Sequence, residues 1–354
     1  MANFTIIGTI MKPKEDNWYN VKASANGMTH LLSFSVKSNA NVLRMNLMGY
    51  LANNESNRVI YAYKKSKKGK DEKINFLYKD KEKYMPQLSE YSKMVFVNGD
   101  HREEYCHNAD YIESLQSKID NGYFDGLKVK IEGNIEYSRY TNKNGEEVQG
   151  KKYIPNRIYV LKNTDEEDIA EANIKMFIDE DSVIKGEDEG LMTLMGKIEQ
   201  YDSKLKRKTL FEESVEFSLK NNKAIDVMVS RLNLENKEPG KFNQIGVKVN
   251  LIRGSETVEL TEDMLSEEDK LNLELGLMTE EELKKEKGVG RGSFREMNVF
   301  KGLMKGYSTG ATLTDISEES YKVEELDVNE VFADNTETVE TIEVEEVGES
   351  DLPF

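Results

Sequence analysis

Residues 127–161, LKVKIEGNIEYSRYTNKNGEEVQGKKYIPNRIYVL, constrain the fold more than any other part of the chain. Val129, Ile131, Gly133 and Ile135 fall on one side of an extended backbone, while Lys128, Lys130, Glu132 and Asn134 fall on the other. That alternation defines a half-buried antiparallel strand. Asn144-Gly145 in the connection supplies a tight hairpin turn. Three segments of ordinary strand length precede it: FTIIGTIMK from Phe4, HLLSFSVK from His30 and VLRMNLMGYL from Val42. Residues 52–125 lie between as an insertion with its own structure. It is basic from Arg58 to Lys83, then places Tyr105, Ala109, Ile112, Leu115 and Ile119 at helical spacing before Gly122, the expected C-cap. Residues 1–163 thus read strand, strand, strand, insertion with helix, strand, strand.

The pattern returns after an acidic stretch. Residues 164–190, with Thr164 ahead of Glu167 in the spacing of a capping box, are expected as a linker or helix. Over 191–312 the expected strands are LMTLMGKIEQYDSK, TLFEESVEFSLK, AIDVMVSRLNL, QIGVKVNLIRG and SFREMNVFKGL, with a helical insertion at 261–287. Ile7-Gly8-Thr9-Ile10 is echoed by Met195-Gly196-Lys197-Ile198, and VKIEGNI by VKVNLIRG, which suggests two versions of one fold. Five short strands with a helix before the fourth make an OB-fold, a Greek-key barrel whose face and loops bind single strands. The fold expectation is a mainly β chain of two such barrels with helical insertions, followed by a disordered acidic tail over 313–354.

Of the 354 residues, 66 are acidic and 49 basic, a formal net charge of −17. Residues 315–354 contain 15 acids and one base, Lys322, a net −14, which leaves 51 acids and 48 bases, or −3, for the rest. A polyanionic partner for the body is therefore not excluded by charge. Cys106, the single cysteine, rules out an intramolecular disulfide framework and a Cys-only zinc site, and fits a reducing cytosol. No run of about 18 apolar residues suggests a membrane span, so a cytoplasmic location is expected.

Single strands bind where cations follow phosphates and exposed rings stack on bases. Residues 58–83 hold ten bases against four acids, interleaved with Tyr61, Tyr63, Phe76 and Tyr78. Candidate contacts there are Tyr61, Tyr63, Lys64, Lys65, Lys67 and Lys68. The hairpin adds Tyr137, Arg139, Tyr140, Lys143, Lys151, Lys152 and Tyr153, and the earlier strands and their first connection add Lys12, Trp18, Tyr19 and Arg44. The second barrel is poorer, with KLKRK at 204–208 and Tyr201. His101, Cys106 and His107 match no common zinc spacing, and neighbouring pairs such as Glu103-Glu104 do not converge on a helix, so neither a metal nor a cofactor is expected. There is no catalytic constellation, and the expectation is a non-enzyme.

The hairpin of residues 127–161 resembles the last hairpin of bacterial and phage single-stranded DNA-binding proteins, in which an apolar-x-apolar-Glu-Gly strand leads through aromatic and basic residues to a Lys-Asn-Gly type turn. Asp351-Leu352-Pro353-Phe354 behind the acidic run is similar to that family's tail tip. The insertion and the second barrel make the chain look like a divergent phage version. The resemblance implies a protein that coats single-stranded DNA in replication or recombination and recruits partner proteins through Asp351, Leu352, Pro353 and Phe354. The familiar form uses one barrel per chain in a tetramer; two barrels here can substitute for two chains, and a homo-oligomer stays open. An RNA-binding or nucleoprotein-assembly protein is the alternative, with a metal-dependent nuclease below it.

Overall fold

The computed structural model describes residues 2–13, 18–66, 69–202, 206–232, 242–254, 273, 295–305 and 312–314. In chain order the first half contains β1 (Ala2–Met11), β2 (Tyr19–Ala23), β3 (Gly27–Ser38), β4 (Asn41–Ala52), β5 (Val59–Lys64), β6 (Glu72–Leu77), α1 (Lys81–Tyr84), β7 (Met94–Asn98), β8 (His101–Tyr105), α2 (Asn108–Asp120), β9 (Val129–Thr141) and β10 (Glu147–Val160). The second half contains β11 (Ile169–Ile178), β12 (Val183–Lys185), β13 (Leu191–Asp202), β14 (Arg207–Ser218), α3 (Asn222–Leu232), β15 (Phe242–Gly254), β16 (Arg295–Leu303) and β17 (Thr312–Thr314).

The strands of the first half close a ring. β1 pairs with β3, β3 with β4, β4 with β10, β10 with β9, and β9 returns to β1. The β4–β10 contact is parallel at Tyr153↔Met45, and the others are antiparallel. The same circuit recurs as β11, β13, β14, β16, β15, again with one parallel contact, Glu216↔Val299. α2 and α3 each precede the fourth strand of their barrel. Both units are OB-fold barrels, partly open where closure rests on single pairs such as Tyr153↔Met45 and Glu216↔Val299.

Alternation does most of the local work. On β9, Val129, Ile131, Ile135 and Tyr137 are buried with residues of opposite charge or polarity between them. Gly133 is required: a Cβ there would lie 2.1 Å from the Ile154 carbonyl oxygen and 2.7 Å from the Phe4 ring. α2 buries Ala109, Tyr111, Ile112, Leu115 and Ile119 and ends as expected, with Gly122 at φ +67° and the Tyr123 N–H donating to the Lys118 carbonyl. The start of α2 sits on β4 at Gly49, where a Cβ would come within 2.5 Å of the Ala109 nitrogen.

The barrels join through their first strands. Asn3–Ile7 run antiparallel to Asn173–Ile169, with Thr5 opposite Glu171. Thr5 also faces Glu132 on β9, while Glu171 faces Asn250 on β15. VKIEGNI and VKVNLIRG, which carry Glu132 and Asn250, therefore occupy equivalent fourth strands, and a local two-fold passes through the Thr5–Glu171 pair. One apolar core runs through both barrels, whereas Ile60, Ala62, Phe76, Leu88 and Cys106 form a separate small core within the insertion.

Several expectations are corrected. Residues 164–190 are not a helix or linker: Ile169–Ile178 form β11, the first strand of the second barrel, bonded to both β1 and β15. AIDVMVSRLNL is not a strand but lies largely within α3, with Ile225 and Leu232 buried. Gly8 and Gly196 fall on the first strand of one barrel and the second strand of the other, so that echo does not mark equivalent positions. β17 pairs with β15 and takes two residues from the stretch expected as tail. The helical insertion at 261–287, residue 273 excepted, and residues 315–354 lie outside the described residues.

Candidate nucleic-acid interface

Strand pleating sends one set of β2–β3–β4 side chains into the first barrel and the other outward. The pairings Lys22↔Thr29, Thr29↔Tyr50, Asn20↔Leu31, Leu31↔Met48, Ser33↔Asn46, Ser35↔Arg44 and Lys37↔Val42 define the outer rows. Met48 is 63% exposed and Tyr50 47%. The Tyr50 ring lies across Gly27, where a Cβ would meet it at 2.7 Å, so the ring is laid along the sheet. Arg44 is exposed and its Nε donates to Ser33 Oγ at 2.6 Å. Because Tyr153 pairs with Met45, exposed Lys152 follows next to Arg44 on the same outer side. None of these positions carries a carboxylate. The face thus offers an aromatic ring, a thioether and several cations, which suits base stacking and phosphate neutralisation together.

The first connection borders this face. Lys12 is exposed after β1, whereas Trp18 is half-buried against the barrel core with the Tyr19 ring 6.5 Å away. Burial, helped by the charge of Glu113, raises the Tyr19 hydroxyl pKa, and its oxygen lies 3.4 Å from His30 Nδ1.

The β9–β10 hairpin serves a different purpose from the one its sequence suggests. It lies against β14 of the second barrel: Gln149 exchanges two hydrogen bonds with the Glu212 backbone, Gln200 exchanges two with the Tyr137 backbone, and Arg139 donates to the Leu210 carbonyl at 2.7 Å. Tyr137 is buried, its hydroxyl donating to Glu213 Oε2 at 2.6 Å and its ring stacked on Phe211 at 5.9 Å. Lys151 reaches the same carboxylate oxygen at 2.6 Å, and Asn298 donates to Glu213 Oε1 at 2.8 Å. Burial lowers the Lys151 pKa even though Glu213 opposes it, and burial raises the Tyr137 hydroxyl. Tyr153 is buried beside Phe4 and bonded to Arg253 Nε at 3.0 Å. Tyr137, Arg139, Lys151 and Tyr153 therefore join the barrels, and the two buried tyrosines have no face left for a base. Lys143 at the turn is exposed and Tyr140 is half-buried.

In the insertion, β5 turns Ile60 and Ala62 inward and leaves Tyr61 and Tyr63 exposed beside Lys64 and Lys65. Lys67 and Lys68 lie outside the described residues. His101 pairs with Glu103 at 2.9 Å, burial pushes the Cys106 thiol up to about 11, and His107 caps α2. Among the described residues, no group of three or more His, Cys, Asp or Glu is arranged to hold a metal ion, and no helix is long and apolar enough to cross a membrane.

Sequence reasoning picked Arg44 and missed Lys22, Met48 and Tyr50. The signal was present, since VLRMNLMGYL alternates Leu43, Met45, Leu47 and Gly49 with Arg44, Asn46, Met48 and Tyr50. The matching outer positions on the second barrel differ in charge: Glu199, Glu212 and Glu216 lie there with Lys197 and Lys208, and Lys208 pairs with Glu199 at 2.7 Å.

Fold and site together define a tandem OB-fold chain with an unequal pair of faces. The sequence matches no protein-family model and no curated protein. Among solved structures, the chain is similar to the wild-type single-stranded DNA binding protein from Thermus aquaticus, at 10% identity and a TM-score of 0.33 over 72% of this chain and 85% of that one. It is similar to a deletion mutant of the same protein at 10% identity and a TM-score of 0.32, over 72% and 87% of the two chains.

Proposed function

We propose that the chain is a non-enzymatic single-stranded DNA-binding protein whose first barrel carries the strand across the outer face of β2–β3–β4. The contrast between the two barrel faces carries this reading. The same pleated surface has Lys22, Lys37, Arg44, Met48 and Tyr50 without a carboxylate on one barrel, and Glu199, Glu212 and Glu216 against Lys197 and Lys208 on the other. A polyanion gains counterion-release free energy on the first and finds no net cationic surface on the second. Stacking on Tyr50 needs an unpaired base, which favours single strands over duplex. Lys12, Trp18 and Lys152 border this path. The hairpin's resemblance to the single-stranded DNA-binding family supports roles in phage replication or recombination, and the acidic run before Asp351-Leu352-Pro353-Phe354 supports partner recruitment through that segment.

The test is a fluorescence titration of the full chain with matched single-stranded DNA, RNA and duplex, with magnesium-dependent cleavage followed on the same samples. Tight, salt-sensitive binding to single-stranded DNA without cleavage is expected, and R44A should weaken it. Preference for RNA or duplex, or cleavage, overturns the reading.

A further inference from the structure

The insertion presents a second aromatic surface that the barrel does not explain. Tyr61 is 69% exposed, Tyr63 41% and Tyr91 62%, and the Tyr63 and Tyr91 ring centroids are 5.3 Å apart. Register places Tyr61 and Tyr63 opposite Asn75 and Lys73 on the outer side of the β5–β6 hairpin, while Ile60, Ala62 and Phe76 fill its inner core. The Tyr61 and Tyr63 rings are therefore outside by strand geometry, and Tyr91 sits on the short helical turn Glu90–Ser92. Tyrosines in so small a unit would ordinarily help fill its core, and three left in water expose apolar area at some cost.

Their backbone is held firmly. Tyr63 N–H donates to Ser92 Oγ at 2.9 Å, and its carbonyl accepts from Ser89 N–H and Ser89 Oγ. The segment bearing Tyr91 is pinned at Glu90, whose carboxylate meets Arg102 at 2.6 Å and whose carbonyl accepts from Arg157 at 3.0 Å. Lys73 lies opposite Tyr63 on the same outer side, and exposed Lys64 and Lys65 follow Tyr63 in the chain. Asp71, the carboxylate bonded to Tyr91, also accepts the Ser66 N–H and lies beside Lys65, and these contacts lower its pKa.

The hairpin is also anchored where the barrel face ends. Tyr78 and Lys81 both bond Asp110 in the first turn of α2, and Asn108 at the start of that helix donates to the Met48 carbonyl at 2.9 Å. The insertion thus stands at the end of β4 that exposes Met48 and Tyr50.

We infer that the outer face of the β5–β6 hairpin, with Tyr61, Tyr63 and Tyr91, is a second stacking platform for single-stranded DNA that leaves the barrel face at the Met48–Tyr50 end of β4. This rests on the function proposed above. A strand short enough for one barrel stays on the barrel face, and a longer one also engages the tyrosines.

The test uses the full chain and oligo(dT) of about 8 nucleotides, within the range a single OB barrel covers, and of about 30. The triple variant Y61A/Y63A/Y91A should bind the short strand within about twofold of wild type and the long strand at least about fivefold more weakly, the loss that one stacking ring represents. On the wild-type protein, a long strand carrying 5-bromodeoxyuridine should photocrosslink to peptides containing Tyr61 or Tyr91, a readout that survives if the variant does not fold. Wild-type affinity for the long strand in a variant that melts normally, or crosslinks that spare both peptides, overturns the inference while leaving the barrel reading intact. If the wild-type chain binds neither strand, the proposed function fails and the platform with it.

Discussion

Replacing Lys151 with methionine separates a structural lysine from a phosphate contact. Its side chain is 13% exposed and lies 2.6 Å from the Glu213 carboxylate, itself 7% exposed. K151M keeps the chain volume but leaves Glu213 hydrogen-bonded by neutral donors, Tyr137, Asn298 and the Ser214 N–H, in a site shut off from water. Breaking one side of a buried pair costs about 3–5 kcal/mol, and the retained hydrogen bonds place this case near the lower end. In K151M/E213Q the glutamine carbonyl still accepts from Tyr137 or Asn298 and no unpaired charge remains. The double variant should therefore recover most of the loss and fall within about 1–2 kcal/mol of wild type. Urea unfolding at neutral pH measures both, read as the midpoint at constant slope. In parallel, the salt dependence of single-strand binding should be unchanged in K151M, whereas loss of one phosphate contact would lower the slope by about 0.7. A K151M protein that unfolds like wild type and loses that slope would refute the reasoning and return Lys151 to the DNA path.

Acid sensitivity should centre on Glu103: burial alone would raise its pKa, but hydrogen bonds from Lys118, Tyr105 and His101 hold it at about 2, against an ordinary value of 4.5. A depressed carboxylate adds stability above its unfolded pKa that is lost as pH falls from about 4.5 towards 2. K118M should move acid unfolding, followed by circular dichroism, to higher pH, and an unmoved curve counts against this link. G133A should cost about 3 kcal/mol or prevent folding, because its new Cβ meets a backbone carbonyl that cannot move aside; normal melting would place Gly133 elsewhere. Deleting residues 315–354, with their net −14, should tighten single-strand binding at low salt and less so at high salt, where screening is shorter-ranged. Equal affinity at every salt concentration rules out competition between this segment and DNA.

The sequence by itself determined the strands whose alternation is strong and the helix whose apolar spacing is regular. β9, β10, β3 and β4 were legible because each buries one face of β-branched or large apolar residues, and α2 because five buried positions recur at helical spacing and end at a glycine. Two elements were misread for definite reasons. In β11, Ala170, Ala172, Ile174 and Met176 alternate correctly, but alanines among acidic residues favour a helix locally; pairing with β1 on one side and β15 on the other overrides that preference. In α3, Val and Ile suggested a strand although Ile225, Met228, Val229 and Leu232 follow the helical period.

The site divided in the same way. Arg44, Tyr61 and Tyr63 could be placed outside from local alternation, since a strand's pleat needs no knowledge of its neighbours. The fate of Tyr137, Lys151 and Tyr153 could not, because a ring beside a lysine has the same local pattern whether it faces water or another barrel. Only the antiparallel pairing of Thr5 with Glu171 brings the second barrel's Glu213 and Arg253 to that hairpin, across 76 and 100 residues of chain respectively. Which cations remain for a polyanion was decided there, because burying a charged lysine is costly without the partner carboxylate that here only long-range packing supplies.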